Sequence, residues 1–105
     1  MAPNASPPTA WALHSVTQPD NVVELRPSGS LDSTTARFLH ARLDALVRSG
    51  YDEIVLDCRQ LQRIDAAGFA PIQRAAELLD ALGGRLRLVD LDLEVDGLDD
   101  LPLAA

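Results

Sequence analysis

Three aspartates stand where elements of secondary structure are expected to begin or end. Asp57 closes a short apolar run at 54–56, and Asp32 and Asp65 each precede a stretch with helical spacing. Carboxylates that meet near one edge of a sheet could hold a metal ion or exchange protons with a substrate. No histidine pairs with them at a useful spacing, so we expect no enzymatic activity. Helix capping is the favoured interpretation of Asp32 and Asp65, and loop hydrogen bonding that of Asp57.

The remaining reactive side chains form no pattern that binds a cofactor or metal. His14 and His40 are far apart, and we interpret both as structural or surface residues. Cys58 is the single cysteine, so it allows no internal disulfide and is interpreted as a small buried side chain. Residues 92–97 faintly imitate the start of a calcium loop, but Leu103 stands where the loop needs glutamate. We therefore expect no metal and no cofactor.

The stretch Asp65-Ala66-Ala67-Gly68, called the elbow below, is the strongest candidate site. Small residues at the start of a helix let another backbone or a partner approach closely. The exposed N–H groups there also favour negative charge. Clustered hydroxyls at 33–35 could serve as substitute phosphorylation sites near the same surface. The preference of serine and threonine for helix starts explains them without modification.

Length and charge narrow the range of functions. The chain has 105 residues, is 47% hydrophobic and carries a net charge of −7. This size suits one domain with a modest core. The negative charge argues against nonspecific binding of nucleic acid or anionic membrane. No apolar run approaches the ~20 residues of a membrane span, and the start lacks a secretory signal, so we expect a cytoplasmic protein.

The order of elements predicts an α/β fold built on a small mixed sheet. Residues 1–8 contain three prolines and are expected to be a flexible arm, with a single domain at 9–105. Parallel strands joined by crossover helices follow from the order β-β-α-β-α-β. The predicted elements are strands near 11–16 and 22–26, a break at 27–30, a helix from about 32 to 49, a strand at 54–57, a helix from the elbow to Gly83, and a strand at 85–89.

Helical periodicity predicts which side chains the two helices bury. Pro71 complicates the second helix, because it lies beyond the first turn if Asp65 is the cap. We therefore expect this helix to start later, near Gly68, or to be kinked. The sequence at 90–96 alternates like a strand, but an irregular or short helical end is the favoured prediction for residues 90–105. The predicted buried positions are Ala36, Leu39, Leu43, Leu46 and Val47 in the first helix, and Phe69, Ile72, Ala76 and Leu79 in the second.

Four segments in order resemble a STAS domain of the anti-sigma factor antagonist type. They are the sequences at 29–36, 54–57, 64–69 and 83–89, within a resemblance that runs from about Trp11 to Val89. The resemblance implies about four strands with helices packed on one face. It also implies a bacterial, cytoplasmic signalling protein that acts in transcription regulation. The family's last helix looks truncated after Val89.

The elbow departs from the family pattern at its decisive position. In the family, an Asp-Ser-Ser-Gly-like motif carries a serine or threonine that a partner kinase, itself the anti-sigma factor, phosphorylates. The unphosphorylated antagonist binds the anti-sigma factor and frees the sigma factor. A phosphate adds about −1.5 to −2 charges and can end such a contact. Ala66 and Ala67 occupy the hydroxyl positions here, so the phosphosite is degenerate.

The resemblance implies a non-enzymatic regulatory module that binds a protein. We expect its partner to be an anti-sigma factor or a related regulatory protein, with no nucleic acid, no membrane insertion and a possible homodimer. The alternative is a STAS scaffold or accessory subunit of a signalling assembly or lipid transporter. The expected partner-binding residues are Ser30, Asp32, Ser33, Thr34, Asp65, Ala66, Ala67, Gly68 and Phe69.

Overall fold

Five strands and two helices make up the part of the chain that the computed structural model describes, residues 11–91. The mixed α/β fold is confirmed, with one strand more than predicted. The predicted arm at 1–8 and the segment from 92 onward lie outside the described residues. In chain order the elements are β1 (Ala12–Gln18), β2 (Val22–Leu31), α1 (Ala36–Arg48), β3 (Glu53–Asp57), β4 (Leu61–Ile64), α2 (Ala66–Ala81) and β5 (Arg85–Val89).

The long strand β2 organises the sheet. It pairs with β1 antiparallel, with β3 parallel along its first part and with β4 parallel along its last part. β5 adds to β3 in parallel, giving the order β1-β2-β3-β5 with β4 beside the far end of β2. The predicted β1–β2 hairpin is confirmed, and its turn places Asp20 (φ 66°) and Asn21 (φ 62°) in the left-handed region. These residue types tolerate that conformation.

The prediction that β2 ends before residues 27–30 is wrong. β2 continues to Leu31, and Pro27 is a buried strand residue opposite Leu13 of β1. On the other side, pairing with β3 stops at Leu25 and pairing with β4 starts at Gly29. Pro27 therefore lies in a gap between the two parallel partners, where its missing N–H interrupts neither the β3 ladder nor the β4 ladder. Gly29 has φ 98°, and the register shifts after it, which is a bulge.

Residues 58–64, where the sequence predicted no strand, contain the additional strand, β4. β4 is short, and its burial pattern is buried-exposed-exposed-buried, so only Leu61 and Ile64 face the core. This strand carries the chain along β2 to the start of α2. The position of the elbow beside the end of β2 depends on it.

Both helices bury the predicted face against the sheet, with small corrections. Leu39, Leu43 and Val47 of α1 are buried, whereas Ala36 and Leu46 are only partly buried. In α2 the third buried position is Ala75 rather than Ala76. On the surface of α1, Asp44 and Arg48 form an ion pair at 3.1 Å. No helix within residues 11–91 is both long and apolar enough to span a membrane.

Candidate protein-docking site

Asp65 holds the elbow by capping α2. It follows β4 in extended conformation, and its Oδ1 accepts a hydrogen bond from the Gly68 N–H at 2.9 Å. Its backbone carbonyl accepts the Phe69 N–H, also at 2.9 Å. The predicted cap is therefore confirmed. The Gly68 N–H bonds to the Asp65 side chain and the Asp65 N–H to the Leu31 carbonyl, so only the N–H groups of Ala66 and Ala67 are left without a partner within the helix start, and the elbow is less ready to bind an anion than its sequence indicated.

α2 begins at Ala66, so the expected later start near Gly68 is wrong. Pro71 lies inside the helix and is buried. Its ring nitrogen cannot donate, so the carbonyl of Ala67 lacks the i+4 hydrogen bond that another residue would give it. The Asp65 cap and the burial of Pro71 offset that loss. The first turn of α2 is thus regular, and its outer side carries only small side chains.

A second turn, at the end of β2, is fixed by Asp32 and Thr35. Asp32 Oδ1 accepts the N–H groups of Thr34 at 2.9 Å and Thr35 at 3.2 Å. The prediction that Asp32 caps α1 is wrong, because the helix begins only at Ala36 with Thr35 as its N-cap, so Asp32 holds the turn that precedes the helix. The hydroxyl of Thr35 donates to the Ser30 carbonyl at 2.6 Å and accepts from the Asp32 N–H at 3.0 Å. Thr35 is buried, so of the three clustered hydroxyls only those of Ser33 and Thr34 are accessible.

The two turns meet at Leu31. The Asp65 N–H donates to the Leu31 carbonyl at 3.2 Å, and Gly68 packs directly on the Leu31 backbone. The sequence-predicted site residues are thus brought together, as one surface at the ends of β2 and β4. We call its accessible part the docking face. It consists of the exposed Ser33, Thr34 and Ala67 and the partly exposed Asp32, Asp65 and Ala66.

Three expected contact residues, Ser30, Gly68 and Phe69, are buried beneath the docking face. Ser30 gives its carbonyl to Thr35, and Phe69 belongs to the hydrophobic core. In this conformation they support the surface and do not present side chains on it.

The methyl group of Ala67 is exposed at the centre of the elbow, and that of Ala66 is partly exposed. Neither can donate a hydrogen bond or accept a phosphate. Accessible hydroxyls on the docking face come only from Ser33 and Thr34, on the neighbouring turn.

The other reactive residues lie outside the docking face. The buried Asp57 accepts the Arg59 N–H at 3.0 Å and its guanidinium at 3.3 Å, which confirms the loop-acceptor interpretation. Burial raises the pKa of the Cys58 thiol to about 12, with the charges of Asp57 and Asp90 adding to the effect. His14 and His40 are surface residues on β1 and α1. Within residues 11–91 no three potential ligands are grouped to hold a metal ion.

A groove between α1 and α2 starts beside the docking face, and sequence reasoning missed it. Its volume is about 460 Å³. The sequence did contain one indication of this groove. Ala67, Ala70 and Arg74 are spaced so that they lie on one side of α2. The lining residues are Ala36, Arg37 and His40 of α1 and Ala70, Pro71 and Arg74 of α2.

Comparisons with known proteins agree with this architecture. The family model of the STAS domain matches residues 14–98. No curated protein sequence matches the chain. Among solved structures, an anti-sigma factor antagonist from Mycobacterium paratuberculosis is 22% identical with a TM-score of 0.69, over 79% of this chain and 69% of that one.

Two further solved structures have the same fold. A STAS-domain antisigma-factor antagonist from Rhodobacter sphaeroides is 19% identical, with a TM-score of 0.66 over 78% of this chain and 88% of that one. The unphosphorylated anti-sigma factor antagonist SpoIIAA is 21% identical, with a TM-score of 0.66 over 75% and 73% of the two chains. The family match covers most of the sequence, and the chain therefore belongs to the STAS domain family.

Proposed function

We propose that this chain is a non-enzymatic regulatory module of the cytoplasm that binds an anti-sigma factor, or a related regulator, through the docking face. Membership in the STAS family and structural likeness to three antagonists support the proposal. The residues that the family resemblance assigns to partner contact come from two separate segments. Their meeting at Leu31 gives a single surface that one partner could cover.

The observation that carries the finer part of the proposal is the exposed Ala67. A methyl group stands where the family places a phosphorylatable hydroxyl. The charge that would disrupt the contact cannot be added at this position. The module is therefore proposed to bind its regulator without being switched off by phosphorylation of the elbow.

The hydrogen bonds of the docking face also favour binding. Asp65 fixes the elbow, Asp32 and Thr35 fix the second turn, and the backbone of Leu31 joins the two. A surface that is already ordered loses little conformational freedom when a partner binds. A stable complex can therefore form over a modest contact area.

Binding to the anti-sigma factors of the native host, beginning with any that neighbouring genes encode, tests the proposal. In calorimetric titrations, at least one should bind the wild-type chain. Ala67→Asp, which places a charge at the elbow, should weaken that binding tenfold or more. Ala45→Asp is the matched control, because Ala45 is exposed on α1 away from both the elbow and the groove. The proposal fails if no regulator binds, or if Ala67→Asp binds as tightly as wild type.

Modification is tested separately with the kinase and ATP, followed by intact mass measurement. The wild-type chain should gain no phosphate, and Ala67→Ser should gain one. A phosphate on the wild-type chain would overturn the unswitched part of the proposal. If Ala67→Ser is ignored, the shape of the elbow or the partner has diverged as well. Recovery of lipid-transporter or scaffold subunits in place of sigma-pathway proteins would favour the alternative function.

A further inference from the structure

The groove between α1 and α2 combines an apolar floor with a basic rim. Ala36, Ala70 and Pro71 supply small apolar groups, and Arg37 and Arg74 stand on opposite helices. A second pocket shares His40, Pro71 and Arg74 with the groove, and its other lining residues include Leu43, Val47, Leu78 and Asp44. Asp44 is paired to Arg48 at 3.1 Å and forms no ion pair with Arg37 or Arg74.

This basic rim stands out in a chain with a net charge of −7. No carboxylate of residues 11–91 lies within 4.0 Å of the guanidinium of Arg37 or Arg74. Arg37 lies over the ring of its neighbour Phe38, 5.0 Å from the centroid. Most arginines elsewhere in this range are in ion pairs, namely Arg26, Arg48, Arg59, Arg85 and Arg87.

We propose that the groove binds an acidic, amphipathic segment of the same regulator that covers the docking face. Its carboxylates would pair with Arg37 and Arg74, and its apolar side chains would lie on Ala70 and Pro71. Arginine suits this role because its planar guanidinium binds a carboxylate through two parallel hydrogen bonds. The inference rests on the proposed function, and it names the chemistry of the partner.

Continuity with the elbow supports one partner for both surfaces. Ala67 and Ala70 are exposed, and their three-residue spacing places them one turn apart on the same side of α2. A partner that covers the methyl group of Ala67 therefore reaches the mouth of the groove. The groove adds apolar contact and charge pairing to a docking face that is itself made of small side chains.

Photo-crosslinking in cells of the native host tests the inference with the full chain. A benzophenone amino acid is placed in the groove at His40, at the elbow at Ala67, and on β1 at Thr17, which is exposed and serves as the background control. Mass spectrometry identifies the peptide attached at each position. We expect positions 40 and 67 to capture the same regulator, and the peptide at position 40 to carry an excess of Asp and Glu.

The outcomes separate the two proposals. If a sigma-pathway regulator is captured at position 67 and none at position 40, the proposed function is supported and the proposal for the groove is overturned. Capture of a basic or uncharged peptide at position 40 would also overturn the groove proposal. Capture there of residues 92–105 of this chain, or of a second copy of the chain, would overturn it as well. Capture at neither position would defeat the proposed function itself.

Charge reversal gives an independent readout. The double variant Arg37→Glu, Arg74→Glu should reduce capture at position 40 at least tenfold. The double variant Arg63→Glu, Arg85→Glu is the matched control, because it makes the same total charge change at two exposed residues that do not line the groove. Circular dichroism confirms that each variant is folded. Undiminished capture by the folded double variant would overturn the role of the two arginines.

Discussion

Gly68 lies so close to Leu31 that a Cβ built on it would be 2.2 Å from the Leu31 carbonyl oxygen. No real side chain tolerates that distance. The Leu31 carbonyl also accepts the Asp65 N–H at 3.2 Å, so one backbone group supports both ends of the elbow. The glycine of the family-like motif is therefore required by packing, whatever the elbow binds.

Replacing Gly68 with alanine should destabilise the fold by about 2–4 kcal/mol, because backbone must move to make room. Chemical denaturation measures the change. Gly50→Ala is the matched control, since Gly50 has φ +86° but open space around its Cα. It should cost only about 1 kcal/mol, from the left-handed conformation alone. Equal losses in the two variants would contradict the steric argument.

Removing the cap of α2 should destabilise the chain more modestly. Asp65→Ala leaves the Gly68 N–H without its 2.9 Å acceptor, and we expect a loss of about 1 kcal/mol. Asp65→Asn keeps a side-chain oxygen and should remain close to wild type. If both variants lose the same stability, the charge of Asp65 matters more than its hydrogen bond.

Acid should remove the contribution that the Glu53–Arg87 pair, which joins β3 and β5, makes to the free energy of unfolding. The hydrogen bond from Arg87, 2.6 Å long, holds the pKa of Glu53 below its ordinary value of 4.5, with Arg85 adding to the effect. The folded-state pKa is the lower one, so the stabilisation is complete above 4.5 and is lost as the pH falls through the folded value. Because the pair is near the surface, it should contribute less than about 1 kcal/mol.

Unfolding free energies of Arg87→Gln and wild type, measured from about pH 7 to pH 3, test this sign. Arg87→Gln should be less stable at neutral pH, and the difference should shrink in acid. In a Glu53→Gln background the same substitution should show no such pH dependence. A difference that grows as the pH falls would contradict the assignment.

Thiol labelling should distinguish a buried from an exposed position. Cys58 is buried and its pKa is raised to about 12, so it should react with a thiol reagent at pH 8 only when the chain unfolds. A cysteine placed by Ala67→Cys in a Cys58→Ala background should react at once, because Ala67 is exposed. Rapid labelling of the wild-type chain in native buffer would contradict the burial of Cys58.

The helices and the main strands could be predicted from sequence because their apolar spacing is regular. The course of β2 could not. Pro27-Ser28-Gly29-Ser30 has the composition of a turn, yet tertiary pairing makes it strand. Pro27 is tolerated because it falls between the segments that pair with β3 and β4, and Gly29 supplies the bulge. The gap at Pro27 and the bulge at Gly29 can be recognised only when the strands that pair with β2 are known.

β4 and the groove were missed for different reasons. Gln62 and Arg63 are both exposed, so β4 lacks the alternation that indicates a strand. The groove depends on how α1 and α2 pack against each other, and the apolar pattern of a single helix carries no information about that packing. The capping role of Asp65 was predictable because capping is local, within three residues of chain.

Two methyl groups at the elbow have a consequence for how such a regulator would be controlled. If the proposed regulator is phosphorylated neither there nor at Ser33 or Thr34, release of the bound partner would follow mass action alone. The fraction of partner held is then set by the relative abundance of the two proteins and by their dissociation constant. Under the proposed function, control would pass from a covalent mark to synthesis and turnover, so the cell would adjust the response by changing copy number.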